Sequence, residues 1–277
     1  MSMRWVTYIL LILILYPKVN LGQNAADSIP AKCLNKEYIK SYFSDVKPLI
    51  ISPSKWERND WIIAGTVAGS TALAFVFDEE IGRFSQRNRT HFLDQSNVYF
   101  FDPFGKMYYT VPFMGALYVY GLASKKSKPK VVALDFVKAS FYSGVIITGI
   151  KHLSHRHRPF QTNPTNSMLW DGPITDNWHH TSFASGHTIM AFTFASVLAT
   201  HYSDRLWIPV LAYSVAGLSG LARIYDNKHW TSDVIVGAAL GYAVGKWVVK
   251  NNRYCRFSLD ASYGNNFTGL SLKYKLL

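Results

Sequence analysis

The segment from residue 151 to residue 233 determines the expected fold, because its polar residues stand at the ends of apolar runs. Three polar stretches occur in it: KHLSHRHRP (151–159), SFASGHT (182–188) and RIYDNKHWTSD (223–233). The first ends an apolar run at Pro159, a residue that cannot continue a helix. The second and third precede apolar runs. We expect the three stretches to converge at one end of a helical body.

Apolar runs account for most of the chain around these stretches. There are six of them, at residues 61–77, 107–123, 131–150, 188–200, 206–222 and 234–249. A helix of 17 residues rises roughly 25 Å, against a hydrocarbon core of about 30 Å. The runs are therefore either short tilted membrane spans or buried helices of a compact bundle, and we predict an all-α bundle of six helices.

Composition narrows the function classes. Of 277 residues, 49% are apolar and only 17% are charged, which excludes a disordered or collagen-like chain. The formal net charge is +12. Lysine and arginine lie mostly in short loops between apolar runs rather than along a polar stripe. This pattern favours a membrane surface or a phosphate pocket, and we expect no nucleic-acid partner.

The termini differ from the helical body, which we assign to residues 55–253. Residues 1–22 combine Arg4 with a short apolar stretch, which predicts a signal peptide or an N-terminal anchor, so the chain is expected to be exported. Residues 23–54 form an exported lead-in segment. In residues 254–277, apolar and polar positions alternate on both sides of a Gly-Asn-Asn turn, which predicts a β-hairpin.

The lysine-rich loops and a cleaved signal would give opposite orientations in a membrane. Lysine-rich loops follow the second and sixth runs, at 125–130 and 246–256, and six spans would place both loops in the cytoplasm. A cleaved signal would give the opposite parity. The two cysteines, Cys33 and Cys255, have no metal or redox spacing. We favour isolated thiols, and the alternative is a disulfide formed if both reach an oxidising compartment.

The first polar stretch offers two cations. Lys151 and Arg158 are seven residues apart, which is two helical turns, so both project from one face. Two cations at the end of an apolar helix are costly unless an anion meets them. The alternative is that they reach a membrane interface without binding a specific anion.

The second stretch has the pattern of an anion cradle. Ser185 stands where a helix N-cap is expected, and Gly186 allows close approach of a ligand to the backbone. Free N–H groups and the positive end of the helix dipole favour a bound anion there. His187 follows directly and lies within reach of whatever binds.

The third stretch pairs an imidazole with a carboxylate. His229 and Asp233 are four residues apart, so they share one helix face. A carboxylate on one ring nitrogen fixes the tautomer and leaves the other nitrogen free as a nucleophile or base. Arg223 adds a guanidinium that can grip phosphate with two hydrogen bonds.

In this order and spacing, the three stretches resemble the signature of the type-2 phosphatidic acid phosphatase superfamily. This superfamily includes membrane lipid phosphatases, bacterial class A acid phosphatases and vanadium haloperoxidases. The resemblance covers about residues 55–250. Two flanking positions depart from the usual pattern, Ala184 where proline is common and Ala222 where serine is common.

The resemblance implies a phosphatidic acid phosphatase-type six-helix bundle and a role for each motif residue. His229 would attack phosphorus and become a phosphohistidine, Asp233 would orient it, and His187 would act as acid and then as base. The phosphate-binding residues would be Lys151, Arg158, Ser185, Gly186 and Arg223. We expect no metal in the catalytic site and no cofactor. The spacing His155-x-His157 with His152 is similar to a zinc pattern, but the sequence supplies no acidic or cysteine partner set.

The sequence therefore predicts a metal-independent phosphatase associated with a membrane, with its active site on the extracytoplasmic face. Its partner would be a phosphorylated lipid, such as an isoprenoid pyrophosphate, phosphatidylglycerol phosphate, phosphatidate or lipid A, or a small phosphate ester. The alternatives are a soluble exported acid phosphatase in the periplasm, a vanadium haloperoxidase, and a non-catalytic lipid-phosphate binder.

Overall fold

The computed structural model describes residues 34, 36–175 and 179–251, together with the backbone of two strands at 257–264 and 267–274. The predicted signal peptide or anchor at 1–22, Cys33, Cys255 and the Asn-Asn pair of the predicted turn lie outside the described residues. The predictions made for them stay predictions.

Helices form most of the described chain. The α-helices are α1 (Lys36–Ser44), α2 (Val46–Ile50), α3 (Arg58–Arg87), α4 (His91–Ser96), α5 (Met107–Ala123), α6 (Ser127–Ser154), α7 (Gly186–His201), α8 (Trp207–Tyr225) and α9 (Thr231–Lys250). Short helical turns of other types lie at Ser52–Lys55, Asn97–Phe101, Asp102–Gly105 and Pro159–Gln161. Strands β1 (Phe257–Gly264) and β2 (Phe267–Tyr274) pair antiparallel, with Phe257 opposite Tyr274.

The count of six helices is not confirmed. Five of the six apolar runs fall within one helix each, namely α3, α5, α6, α7 and α9, and the run at 206–222 begins one residue before α8. The structure also contains α1, α2 and α4, which are short and do not coincide with any of the long apolar runs. Apolar periodicity detects long helices that bury a face, whereas short connecting helices depend on contacts with the rest of the fold.

Helix α7 lies at the centre of the bundle and packs against α6, α8 and α9. The largest core cluster is centred on Phe136 and Ala139 of α6, Val197 of α7, and Val244 and Val248 of α9. A second cluster, around Ile147 and Ile189, lies nearer the polar stretches. The two clusters therefore pack against successive parts of α7, around Ile189 and around Val197.

Helices α7 and α9 approach closely because glycine lines their contact. A Cβ placed on Gly241 would lie 2.3 Å from the carbonyl oxygen of Ile189 and 2.9 Å from Cβ of Phe192. The first of these atoms belongs to helix backbone, which cannot move aside locally. The second and third polar stretches precede these two helices, so this contact sets the distance between them.

Replacing Gly241 by Ala is expected to force α7 and α9 apart. The free energy of unfolding should fall by about 1–3 kcal/mol, the usual cost of overpacking. The measurement is the thermal unfolding midpoint in detergent. Gly65→Ala is the matched control, because nothing lies within 4 Å of its added Cβ. An unfolding midpoint of Gly241→Ala equal to that of Gly65→Ala would contradict the packing described above.

Four helices of the described chain, α3, α6, α8 and α9, are long and apolar enough to cross a membrane. The apolar window of α3 has a mean hydropathy of 1.5, yet only 11% of it is buried within the protein. The other two predicted runs form α5 and α7, of 17 and 16 residues. The largely uncovered apolar surface of α3 is suited to contact with lipid.

The bundle has a lysine-rich end and an opposite end that carries the polar stretches. Helices α6 and α8 finish at the second end, where α7 and α9 begin. Further along α6, Lys138 is buried and donates to Asp45 at 2.5 Å and to the Ser41 hydroxyl at 2.8 Å, while the hydroxyl of Tyr38 donates to the carbonyl of Leu134. These bonds fasten α1 to the bundle far from the polar stretches.

Candidate active site

The end of α6 places the first two cations. His155 takes a left-handed conformation with φ 42°, which stops the helix after Ser154. Lys151 Nζ donates to the carbonyl of Thr181, and Arg158 donates to the Thr181 hydroxyl at 3.3 Å. Both cations therefore reach the same residue, which lies just before the second polar stretch.

The start of α7 forms the expected cradle. Ser185 is its N-cap, and its hydroxyl oxygen accepts from the backbone N–H of Thr188 at 3.4 Å. A Cβ added to Gly186 would lie 3.8 Å from Cε of Lys151, so the lysine stem runs past the helix N-terminus. Backbone N–H groups, the helix dipole and a lysine thus act on one small volume.

His229 and Asp233 stand at the start of α9. Their closest atoms, Nδ1 and Oδ2, are 3.5 Å apart, and both side chains are buried. The same carboxylate oxygen accepts from the Ser182 hydroxyl at 2.5 Å and from the backbone N–H of Trp230 at 2.9 Å. The backbone N–H of Ser185 donates to the carbonyl of Asp233, which joins the second stretch to the third.

Arg156 was not predicted from the sequence as a site residue. It forms an ion pair with Asp233. Its guanidinium is fully buried and donates to Asp233 Oδ1 at 2.6 Å and to Asp78 Oδ2 at 2.8 Å. Asp78 also accepts from the backbone N–H and hydroxyl of Ser232 at the start of α9. One arginine thus connects α3, the end of α6 and the start of α9 through two carboxylates.

Asp102 was also missed, and it lies on the other side of the site. Its carboxylate contacts Arg223 and Lys106 as ion pairs, and His187 Nε2 is 3.6 Å from its Oδ1. Arg223 is buried and also pairs with Asp226 at 2.9 Å. A Cβ on Gly105 would lie 2.9 Å from Cβ of His187, so only glycine lets this segment pass so close.

The eight residues predicted for the site are brought together. His229, Asp233 and Ser185 are linked directly, Gly186 adjoins Lys151, and His187 shares Asp102 with Arg223. Lys151 and Arg158 both act on His229 by charge repulsion. We call this arrangement, with its cations around the His229 imidazole, the cationic cup.

Electrostatics keep both histidines of the cationic cup neutral. Burial lowers the pKa of His229 to about 4, helped by repulsion from Lys151 and Arg158 and opposed by Asp233. Burial also lowers the pKa of His187 to about 3, together with repulsion from Arg223. A neutral imidazole has a free lone pair, which a nucleophile requires.

The lowered pKa of His229 predicts the pH at which kcat/KM falls on the acid side of its pH profile. A nucleophilic His229 must be neutral, so activity should persist as pH falls past 6.5, the ordinary pKa of histidine, and be lost only near pH 4. The measurement is kcat/KM against pH for two substrates whose phosphate groups have different pKa values. A limb that stays near 6.5 for both substrates would contradict the prediction.

The missed residues left weak signals in the sequence. Asp78 is a carboxylate at the end of an apolar run, and an ionisable group in such a place often has a functional role. Arg156 stands inside the first stretch between two histidines, and the sequence around it contains no acidic partner for its charge. Asp102 lies between two apolar runs, and its position could not be inferred without the tertiary contact with α7 and α8.

Comparison with known proteins gives a family match and several relatives. Residues 132–257 match the family model of the PAP2 superfamily. Over 140 residues the chain is 34% identical to the lipid A 1-phosphatase of Porphyromonas gingivalis, covering 49% of this chain and 28% of that protein. It is 27% identical to the undecaprenyl-diphosphatase of Sulfolobus acidocaldarius over 151 residues, covering 54% of this chain and 64% of that protein.

A crystal structure of Aquifex aeolicus LpxE is 26% identical and aligns with a TM-score of 0.49, covering 63% of this chain and 95% of that one. The chain spans less than two thirds of the length of the curated relatives that it matches.

Proposed function

We propose that this chain, of which residues 132–257 match the family model of the PAP2 superfamily, is a membrane-associated phosphatase that releases phosphate from a phosphorylated lipid. The observation that carries the proposal is the cationic cup, in which a buried, neutral imidazole backed by a carboxylate faces a set of cations. Such a site suits a reaction in which negative charge on phosphoryl oxygens must be stabilised while a nucleophile attacks phosphorus.

In the first step, His229 Nε2 attacks phosphorus while Asp233 holds the proton on Nδ1. The new N–P bond forms as the bond from phosphorus to the leaving oxygen breaks. His187 gives a proton to that oxygen, so the lipid leaves as a neutral alcohol or as a lipid phosphate. Binding of the anionic substrate offsets the repulsion that Arg223 exerts on His187 and so favours the protonated ring in the complex.

In the second step, His187 takes a proton from water as the water oxygen attacks the phosphohistidine. The N–P bond breaks, inorganic phosphate leaves and His229 returns to its neutral form. Throughout, the phosphoryl oxygens would be held by the five phosphate-binding residues: Lys151, Arg158, Ser185, Gly186 and Arg223. None of these steps requires a metal.

The choice of a lipid substrate rests on the surface of the bundle. Most of the apolar window of helix α3 is not covered by the protein. The same helix carries Asp78, which accepts a hydrogen bond from Arg156 beside the site. The site thus lies at one end of helices long enough to span a membrane, where a lipid head group would be. A soluble acid phosphatase would be expected to cover this apolar surface.

The proposed orientation follows from charge. The lysine-rich loop at 125–130 and the end of α9, with Lys246 and Lys250, lie at the end opposite the cationic cup. The positive-inside rule places that end in the cytoplasm and the site on the extracytoplasmic face.

The test is a phosphate-release panel in detergent with the wild type and His229→Ala. The panel includes an isoprenoid pyrophosphate, phosphatidylglycerol phosphate, phosphatidate, lipid A and a water-soluble aryl phosphate. We expect a preference for one of the lipids, and loss of release in the variant. Preference for the aryl phosphate, with release of the protein by carbonate extraction, would favour the soluble acid phosphatase. Lipid binding with unchanged phosphate release in His229→Ala would contradict the enzyme.

A further inference from the structure

Two histidines and an aspartate lie close together outside the cationic cup, in the segment that joins α6 to α7. His157 Nε2 lies 2.9 Å from Asp171 Oδ1, and His180 Nδ1 lies 2.5 Å from Asp171 Oδ2. The two imidazole rings stack with their centroids 3.5 Å apart. One potential ligand atom from each side chain lies within 4.8 Å of the others.

Backbone hydrogen bonds hold the three segments side by side. The N–H of His157 donates to the carbonyl of Leu169 at 3.0 Å, and the N–H of Asp171 donates to the carbonyl of His155 at 3.2 Å. On the other side, the N–H of Ser182 donates to the carbonyl of Arg156 at 2.9 Å. The convergence of the side chains therefore depends on a small backbone framework and not on their rotamers alone.

We propose that His157, Asp171 and His180 form a binding site for a divalent transition-metal ion, with Zn²⁺ as the best match. Two imidazole nitrogens and a carboxylate oxygen are ligands that zinc accepts at about 2.0–2.2 Å. Tetrahedral bonds of that length hold ligand atoms roughly 3.4 Å apart. Small rotations of the side chains would give this spacing.

Binding exchanges two hydrogen bonds for metal bonds. Each ring must offer a lone pair to the metal, so its proton moves to the other ring nitrogen, and no net proton is released from neutral histidines. Three protein ligands leave a fourth tetrahedral position for water or a ligand oxygen. The side chains are 17%, 29% and 16% exposed for His157, Asp171 and His180, so this position can be reached from solvent.

The place of the site in the chain indicates what the metal would do. His157 immediately precedes Arg158, and His180 immediately precedes Thr181, which accepts hydrogen bonds from Lys151 and Arg158. A metal bound here would tie the two ends of the connecting segment to its middle and hold these residues in place. This acidic partner of the histidines is not evident from the sequence, because Asp171 is 14 residues from His157.

The experiment is calorimetric titration of the full chain in detergent, prepared without a polyhistidine tag and stripped with a chelator. With ZnCl₂ we expect one site per chain in the micromolar range or tighter, and with MgCl₂ no saturable binding. Asp171→Asn and His180→Gln should each weaken zinc affinity at least tenfold, since each removes a ligand. His91→Gln, on exposed α4, is the matched control and should bind as the wild type.

Cobalt gives a second readout that does not depend on activity. Titration with CoCl₂ should produce the visible absorption of a low-coordinate Co²⁺ site in the wild type and in His91→Gln but not in Asp171→Asn. Thermal unfolding without metal shows whether each variant is folded. Absence of saturable zinc binding in the wild type, or equal affinity in wild type and Asp171→Asn, would overturn the proposal. The result is independent of whether the chain proves to be a phosphatase.

Discussion

Replacing His229 by Ala is expected to lower kcat on the order of 10⁴-fold or more for every substrate that the wild type hydrolyses. Removing the nucleophile of a covalent mechanism usually removes most of the catalysis supplied by residues that act as a unit. The measurement is steady-state phosphate release in detergent, with a substrate dissociation constant from direct binding. Binding should persist, because the cations of the cationic cup remain.

The matched control is His152→Ala, which changes an exposed histidine of the same polar stretch that contains Lys151. We expect its kcat within a factor of a few of the wild type. Both variants should unfold at temperatures close to that of the wild type. A His229→Ala enzyme that keeps a tenth of wild-type kcat would show that another group attacks phosphorus.

Replacing Arg156 by Met is expected to have the largest effect on stability. The substitution keeps much of the volume but leaves Asp78 and Asp233 buried without their shared cation. Breaking a buried ion pair by removing one partner costs about 3–5 kcal/mol. The measurement is the unfolding midpoint in detergent, and Arg83→Met, which changes a 58% exposed arginine of α3, is the matched control.

A second variant separates the structural effect from the catalytic one. In Arg156→Met combined with Asp78→Asn, one uncompensated carboxylate is gone, so part of the lost stability should return. Asp233 still lacks the bond that holds its Oδ1, so kcat should stay at least tenfold below the wild type even where the double variant is folded. Recovery of both stability and kcat would mean that Arg156 only stabilises the fold. An Arg156→Met protein that unfolds like the wild type would contradict both roles.

The sequence predicted the long helices well, because each apolar run must be covered by protein or lipid and a helix satisfies its backbone there. Residues 107–123, for example, coincide with α5. The motif residues were predicted because their chemistry and spacing are distinctive. Short helices such as α1 were not, since α1 is held by long-range bonds such as that from Lys138 to the Ser41 hydroxyl.

The ion pairs of Arg156 with Asp78 and Asp233 could not be predicted either, because they too depend on contacts between distant parts of the chain. Arg156 and Asp78 are 78 residues apart, and they meet only because α3 packs against the start of α9. The partner of Arg223, Asp102, lies on a short helical turn without a regular pattern. The sequence thus indicated the residues that we propose to bind phosphate, whereas the contacts of Arg156, Asp78 and Asp102 required the tertiary structure.

The most direct test of the central claim is to trap the phosphorylated histidine. His187→Ala should slow the attack of water on the intermediate, and an aryl phosphate has a leaving group that departs without a proton from His187. Rapid quenching of this variant with ³²P-labelled aryl phosphate is expected to give acid-labile, base-stable label approaching one phosphoryl group per chain, located at His229 by peptide mapping. Turnover of the wild type combined with no label in this variant, or label on any other residue, would contradict the account.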